Sequence, residues 1–168
     1  IMGFDIHGMN PAINKSIDDF PTLKKWHTVP FNERDKSKEF KKEEDKYWEE
    51  HDAERSANCG TYFRNNVWWW RPLWEYCREV AEELFSYEQW EGGHYNDGNQ
   101  YSEDDCLALA SILQEEINSG RCKEYEDTYC KEQNSLGDKD FNKNYPFSVE
   151  NVQNFVRFLE DCGGMEIY

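Results

Sequence analysis

The chain has 168 residues, enough for one domain of ordinary size that buries roughly 70% of the surface its unfolded chain would expose. Thirty-five acidic against nineteen basic residues give a net charge of −16, which would repel nucleic-acid backbone and anionic membrane alike. Leu, Ile and Val are sparse while 16% of the residues are aromatic, so a core built mainly of rings is expected and disorder throughout is not.

Two alternatives bear on charge and compartment. An acidic surface suits a decoy that occupies the basic groove of a nucleic-acid enzyme, but Lys and Arg are interleaved through most acidic runs. Six cysteines, Cys59, Cys77, Cys106, Cys122, Cys130 and Cys162, would suit a disulfide framework in an exported chain, yet neither an export signal nor an apolar run of about 20 residues is legible. Reduced thiols in a cytoplasm are expected. No cysteine pair has the C-x-x-C spacing of a zinc or redox site, so no metal or cofactor is expected.

In chain order, Ile1 precedes a methionine suited to initiation and is treated as a remnant. Met2 to Gly8 alternates apolar and polar side chains between glycines, the period of a half-buried strand with Phe4 and Ile6 inward. Residues 9–31 carry Pro11, Pro21 and Pro30 and predict a surface connection with local turns. Residues 32–55 are densely charged, with Phe40, Tyr47 and Trp48 at helical intervals, predicting an exposed helix. Residues 9–58 thus read as a connection plus charged helical insertion within a single domain spanning 1–168.

Trp70, Leu73, Trp74, Cys77, Ala81 and Leu84 recur at helical spacing and predict a helix from near Trp70 to about Tyr87. Pro72 fits only the first turn without cost, which sets a start no earlier than about Trp68. A loop follows over 91–99 with an Asn96-Asp97-Gly98 turn, and Ser102 with Asp105 forms a capping-box pattern opening a helix that Gly120 ends. A shorter polar helix reaches about Cys130, and 134–146 reads as a loop. Ser148 is a natural N-cap for a helix burying Val152, Phe155, Val156 and Leu159, with Phe147 and Val152 as a hydrophobic staple. After Gly163-Gly164, Met165 to Tyr168 alternates again and would pair with Phe4–His7. The expected fold class is mainly α, or α+β with a minor sheet.

The run from Tyr62 to Trp74, Tyr-Phe-Arg-Asn-Asn-Val-Trp-Trp-Trp-Arg-Pro-Leu-Trp, carries the strongest functional signal. Successive helical residues are 100° apart, so Trp68, Trp69 and Trp70 cannot share one core face. The register assigns Trp70 and Trp74 to the core and Trp69 to its edge. Trp68 falls on the polar side and needs cover. Arg71 in a first turn opposes the helix dipole. Arg64, Asn65, Asn66, Trp68 and Arg71 would therefore gather at a helix N-terminus whose free N–H groups favour anions. With His94, Asn96 and Asp97 from the glycine-rich loop, they form a candidate site for a small anionic or aromatic ligand, a nucleotide for example, or for a host protein segment. The simpler alternative is that the 9–31 loop or the charged helix covers these rings and that the arginines pair with surplus carboxylates. Asp5, His7 and His94 are the acid–base candidates of a second reading, an enzyme acting on a nucleotide or amide. Nucleophile elbows, Walker loops and dinucleotide fingerprints do not occur, and a binding protein without catalysis is the leading expectation.

These residues also carry a resemblance. The start Met2-Gly3-Phe4-Asp5-Ile6-His7-Gly8, the Tyr62–Trp74 run, the Asn96-Asp97-Gly98 turn and the ending Gly163-Gly164-Met165-Glu166-Ile167 resemble a family of short uncharacterised proteins of bacteriophages and environmental sequences. The similarity covers about residues 2–10 and 60–168, with the charged region between as an insertion. It implies a viral or bacterial setting, in which a virion component is a third reading, and no catalytic assignment.

Overall fold

The computed structural model describes residues 2–168, so the reading of Ile1 as a remnant lies outside them. The elements are β1 (Gly3–Gly8), α1 (Pro21–Trp26), α2 (Phe31–Arg34), α3 (Lys38–Ala57), β2 (Tyr62–Asn66), α4 (Val67–Val80), α5 (Tyr87–Gly92), β3 (Asn99–Tyr101), α6 (Glu103–Asn118), α7 (Arg121–Ser135), α8 (Val149–Asp161) and β4 (Met165–Ile167). The fold is α+β, helix-rich with a small antiparallel sheet ordered β2-β1-β4-β3. The predicted pairing of the two ends of the sequence is present, with Ile6 opposite Ile167 and His7 opposite Glu166. The chain divides into two compact units, one formed by the stretch to Pro11 with Gly60–Tyr168, the other by Ala12–Cys59.

Within the first unit, strand periodicity sorts the sheet into two faces. Phe4, Ile6, Met165, Ile167 and Tyr101 are buried on the inner face, where Phe63 meets Phe155 and Phe158 of α8 at ring-centroid distances of 5.1 and 5.9 Å. The outer face carries Asp5, His7, Tyr62, Arg64, Gln100 and Glu166. Caps explain most helix starts. Ser102 Oγ accepts from the Asp105 N–H at 3.2 Å and Ser148 Oγ from the Asn151 N–H at 3.1 Å, each meeting a donor that the helix leaves unpaired. Gly120, at φ +83°, separates α6 from α7, because only glycine enters the left-handed region without steric cost.

The core is aromatic, as composition predicts. Trp70 stacks on Trp74 with centroids 5.4 Å apart, Phe4 lies 5.7 Å from Trp70 on its other side, and Trp74 continues to Trp90 at 5.0 Å. Both stacked indoles also find a carbonyl: Trp70 Nε1 donates to Gly93 at 2.7 Å and Trp74 Nε1 to Trp90 at 2.8 Å.

The second unit has its own small core of Phe20, Leu23, Trp26, Phe40 and Tyr47. Segment 9–31, expected as a connection with turns, contains α1, and the expected single charged helix is two, α2 and α3, with Ser37 capping the second. Arg34 is buried; its guanidinium lies 4.6 Å from the Tyr47 ring and donates to the Tyr47 hydroxyl at 2.7 Å. Asn58, also buried, ties the ends of this unit, accepting from the Asn14 and Lys15 N–H groups at 2.8 and 3.0 Å and donating to the Lys15 carbonyl at 2.9 Å.

Candidate functional site

The Tyr62–Trp74 run is a strand that turns directly into a helix, where a helix start alone is expected. Five of its residues pair with β1, from His7 opposite Tyr62 to Gly3 opposite Asn66. Asn66 then caps α4, its Oδ1 accepting from the Trp68 and Trp69 N–H groups at 3.1 and 3.2 Å. This cap starts the helix at Val67, so Pro72 lies inside it, beyond the first turn. The missing proline N–H costs about 3 kcal/mol in general; here sheet pairing and the Asn66 cap outweigh it. Arg71 accordingly sits one turn in, where its opposition to the helix dipole is weaker than a first-turn position implies. The helix stops at Val80, earlier than the apolar spacing suggests, and Leu84 belongs to a separate 3-10 turn over Glu82–Leu84.

The residues expected to converge are distributed over several places. Arg64 is on the outer sheet face, opposite Asp5 on β1, with Nε 3.4 Å from Oδ1 of that carboxylate. The Tyr62 hydroxyl donates to the same Asp5 oxygen. Asn65 and Asn151 exchange amide hydrogen bonds of 3.0 and 2.8 Å, joining β2 to α8. Asn66 is occupied as the cap. In the 91–99 loop, Asn96 and Asp97 are exposed, Asp97 accepts from the Asn99 amide, and Gly98 supplies the φ of +90° that the turn demands.

The acid–base set is split. Asp5 and His7 stand on the outer face of the sheet, His7 between Tyr62 and Tyr168 at centroid distances of 5.2 and 6.0 Å. His94 follows α5, next to the Gly93 carbonyl that Trp70 holds beneath the inner face. Burial is the main cause that holds the His94 imidazole below its ordinary range; Glu75 and Glu91 oppose this shift, and Arg71 and Arg78 reinforce it. At neutral pH it is therefore uncharged, so Arg71 and not His94 supplies positive charge there.

Trp68 finds its cover in the 136–146 segment. Its ring lies 5.0 Å from Phe141 and 4.9 Å from Tyr145, both edge-on. Beside this trio opens a cleft of about 380 Å³ lined by Arg71, Glu75, Tyr129, Gln133, Asn142 and Tyr145. The half-buried Arg71 has no carboxylate within 4 Å among the described residues, and its one hydrogen bond, to the Tyr145 hydroxyl, is long at 3.4 Å. The Tyr129 hydroxyl donates to the Tyr145 carbonyl at 2.6 Å and closes one wall. Burial, assisted by the Glu75 charge, has the Tyr129 hydroxyl pushed up to about 12, so it stays a donor at any physiological pH. Gln133 Oε1 is buried without a partner among the described residues, an acceptor waiting for a donor.

Besides Glu75 on α4 itself, Tyr129, Gln133, Asn142 and Tyr145 are absent from the sequence-derived set. Nothing in a polar helix followed by a loop marks them; they join Arg71 only because α7 and the 3-10 turn Phe141–Asn144 return to α4. Among the described residues, no group of three or more His, Cys, Asp or Glu side chains could hold a metal ion, and no helix is long and apolar enough to cross a membrane. Comparison with protein-family models, with curated proteins and with solved structures gives no match for this chain.

Proposed function

We propose that the chain is a non-enzymatic binding protein whose Arg71 cleft takes a small, ring-bearing anion, such as an aromatic carboxylate or a nucleoside monophosphate. The observation that carries this reading is Arg71 itself: in a chain of net charge −16, this half-buried guanidinium has no ion-pair partner among the described residues and faces a cleft of ligand size. Tyr145 and Tyr129 supply ring surfaces, and Gln133 Oε1 with Glu75 supplies acceptors for ligand N–H or O–H groups. One arginine beside one glutamate suits a low negative charge and disfavours a triphosphate, which the surrounding acidic surface would repel. The same surface disfavours nucleic-acid backbone. A cytoplasmic setting, in the phage-infected bacterium that the family resemblance implies, fits reduced thiols and such a metabolite.

The test is calorimetry and thermal shift with nucleoside monophosphates and aromatic carboxylates, on the intact chain and on Arg71→Gln. Saturable binding weakened tenfold or more by Arg71→Gln is expected, since losing a charge-assisted contact costs about 1.5–3 kcal/mol. Absence of binding across the panel, or equal binding by the variant, would refute it.

A further inference from the structure

The second tryptophan of the run, Trp69, stands apart from the Arg71 cleft. Trp69 is the third residue of α4, and helical phase turns it away from the Trp70–Trp74 stripe, leaving it half-buried. Its ring borders two neighbouring clefts. One, of about 240 Å³, is lined by Asn65, Trp69, Ser148, Glu150, Asn151 and Asn154. The other, of about 420 Å³, is lined by Asn66, Trp68, Trp69, Phe141, Asn144 and Pro146. Five asparagines thus surround one indole.

The lining contains no Lys, Arg or His, so neither cleft offers a counter-charge for a phosphate or carboxylate. What it does offer is unspent neutral hydrogen-bonding capacity. Asn66 uses only Oδ1 on the helix cap, leaving both amide protons. Ser148 Oγ accepts from the Asn151 N–H and retains its own proton to donate. Asn144 donates to the Phe141 carbonyl at 3.0 Å and keeps its amide oxygen, and Asn154 is exposed on α8 with no bond to its side chain among the described residues. The reciprocal Asn65–Asn151 pair holds two further amides rigid, so the site is ordered before any ligand arrives.

A flat indole ringed by groups that both donate and accept is complementary to a molecule with one C–H face and a rim of hydroxyls. An anionic ligand finds no counter-charge here, and a purely apolar one leaves the amides unmet. We infer that the Trp69 platform binds a neutral carbohydrate, one pyranose ring lying on the indole while its hydroxyls reach Asn66, Asn144, Ser148 and Asn154. This site is independent of the Arg71 cleft and stands if that reading fails.

The experiment follows indole N–H resonances of the ¹⁵N-labelled full chain during titration with maltotriose, cellotriose and triacetylchitotriose, the Trp69 signal being assigned by its loss in Trp69→Phe. A saturable shift of that signal with at least one of the three sugars is expected, and calorimetry with the same sugar should give an affinity about tenfold weaker in Trp69→Ala and unchanged in Arg71→Gln. Asn154→Ala, at an exposed position that leaves the core intact, should weaken binding several-fold and keeps the test open if Trp69→Ala does not fold. No shift with any of the sugars overturns the inference. So does binding that survives both Trp69→Ala and Asn154→Ala, or a Trp69 signal that responds to uncharged adenosine or guanosine in place of the sugars.

Discussion

Replacing Trp70 by Phe separates the tryptophans of the run by their energetic roles. Trp70 is fully buried, its indole N–H donates to the Gly93 carbonyl at 2.7 Å, and its ring is packed between Phe4 and Trp74. Phenylalanine removes roughly 40 Å² of ring surface, about 1 kcal/mol at 25 cal/mol per Å². It also leaves the Gly93 carbonyl without its indole donor, about 1–3 kcal/mol. With incomplete collapse of the space, about 3–4 kcal/mol is expected in all. For a urea slope of about 2 kcal/mol/M, the midpoint falls by about 1.5–2 M. Trp68→Phe is the control: its ring meets Phe141 and Tyr145 near the surface, makes no indole hydrogen bond among the described residues, and should cost under about 1 kcal/mol. Urea unfolding followed by far-ultraviolet and near-ultraviolet circular dichroism measures both. Equal midpoints for the two variants would refute the assignment of Trp70 as the central, hydrogen-bonded core ring.

Two further outcomes follow from packing. A methyl group on Gly93 would stand 2.1–2.4 Å from the buried Trp74 indole although the Gly93 φ of −68° is ordinary, so Gly93→Ala should cost about 3 kcal/mol or more. Gly137→Ala meets nothing within 4 Å and should be neutral or slightly stabilising by thermal denaturation; similar losses for both would contradict the steric account. Among the thiols, Cys130 is exposed while Cys77, Cys106, Cys122 and Cys162 are buried, and burial pushes the Cys77 thiol well above its usual range. With an aromatic disulfide reagent, Cys130 should react promptly and these four only on unfolding; four or more thiols reacting together in the native state would count against this core.

Local pattern determined much of this molecule. Alternation in Met2–Gly8 specifies β1, Ser148 followed by Val152, Phe155, Val156 and Leu159 specifies α8, and the apolar spacing from Trp70 to Cys77 specifies the buried face of α4. These features are readable because each depends on residues within a turn or two of one another. Other features needed the folded chain. Tyr62–Asn66 has no strand alternation of its own and becomes β2 by pairing with a strand more than fifty residues earlier, which in turn moves the helix start ahead of Pro72. Arg64 is drawn to Asp5 by that same register and so parts from Arg71.

The tryptophans show the division most clearly. Helical phase alone distinguishes the side of α4 that Trp70 occupies from the sides left to Trp68 and Trp69, because phase is a local angle. What each of those two meets depends on where a distant segment returns: Phe141 and Tyr145 come back against Trp68, whereas the asparagines of β2 and α8 border Trp69. Covering atoms contributed from about seventy residues away are set by chain closure and core packing, so only the tertiary structure decides them.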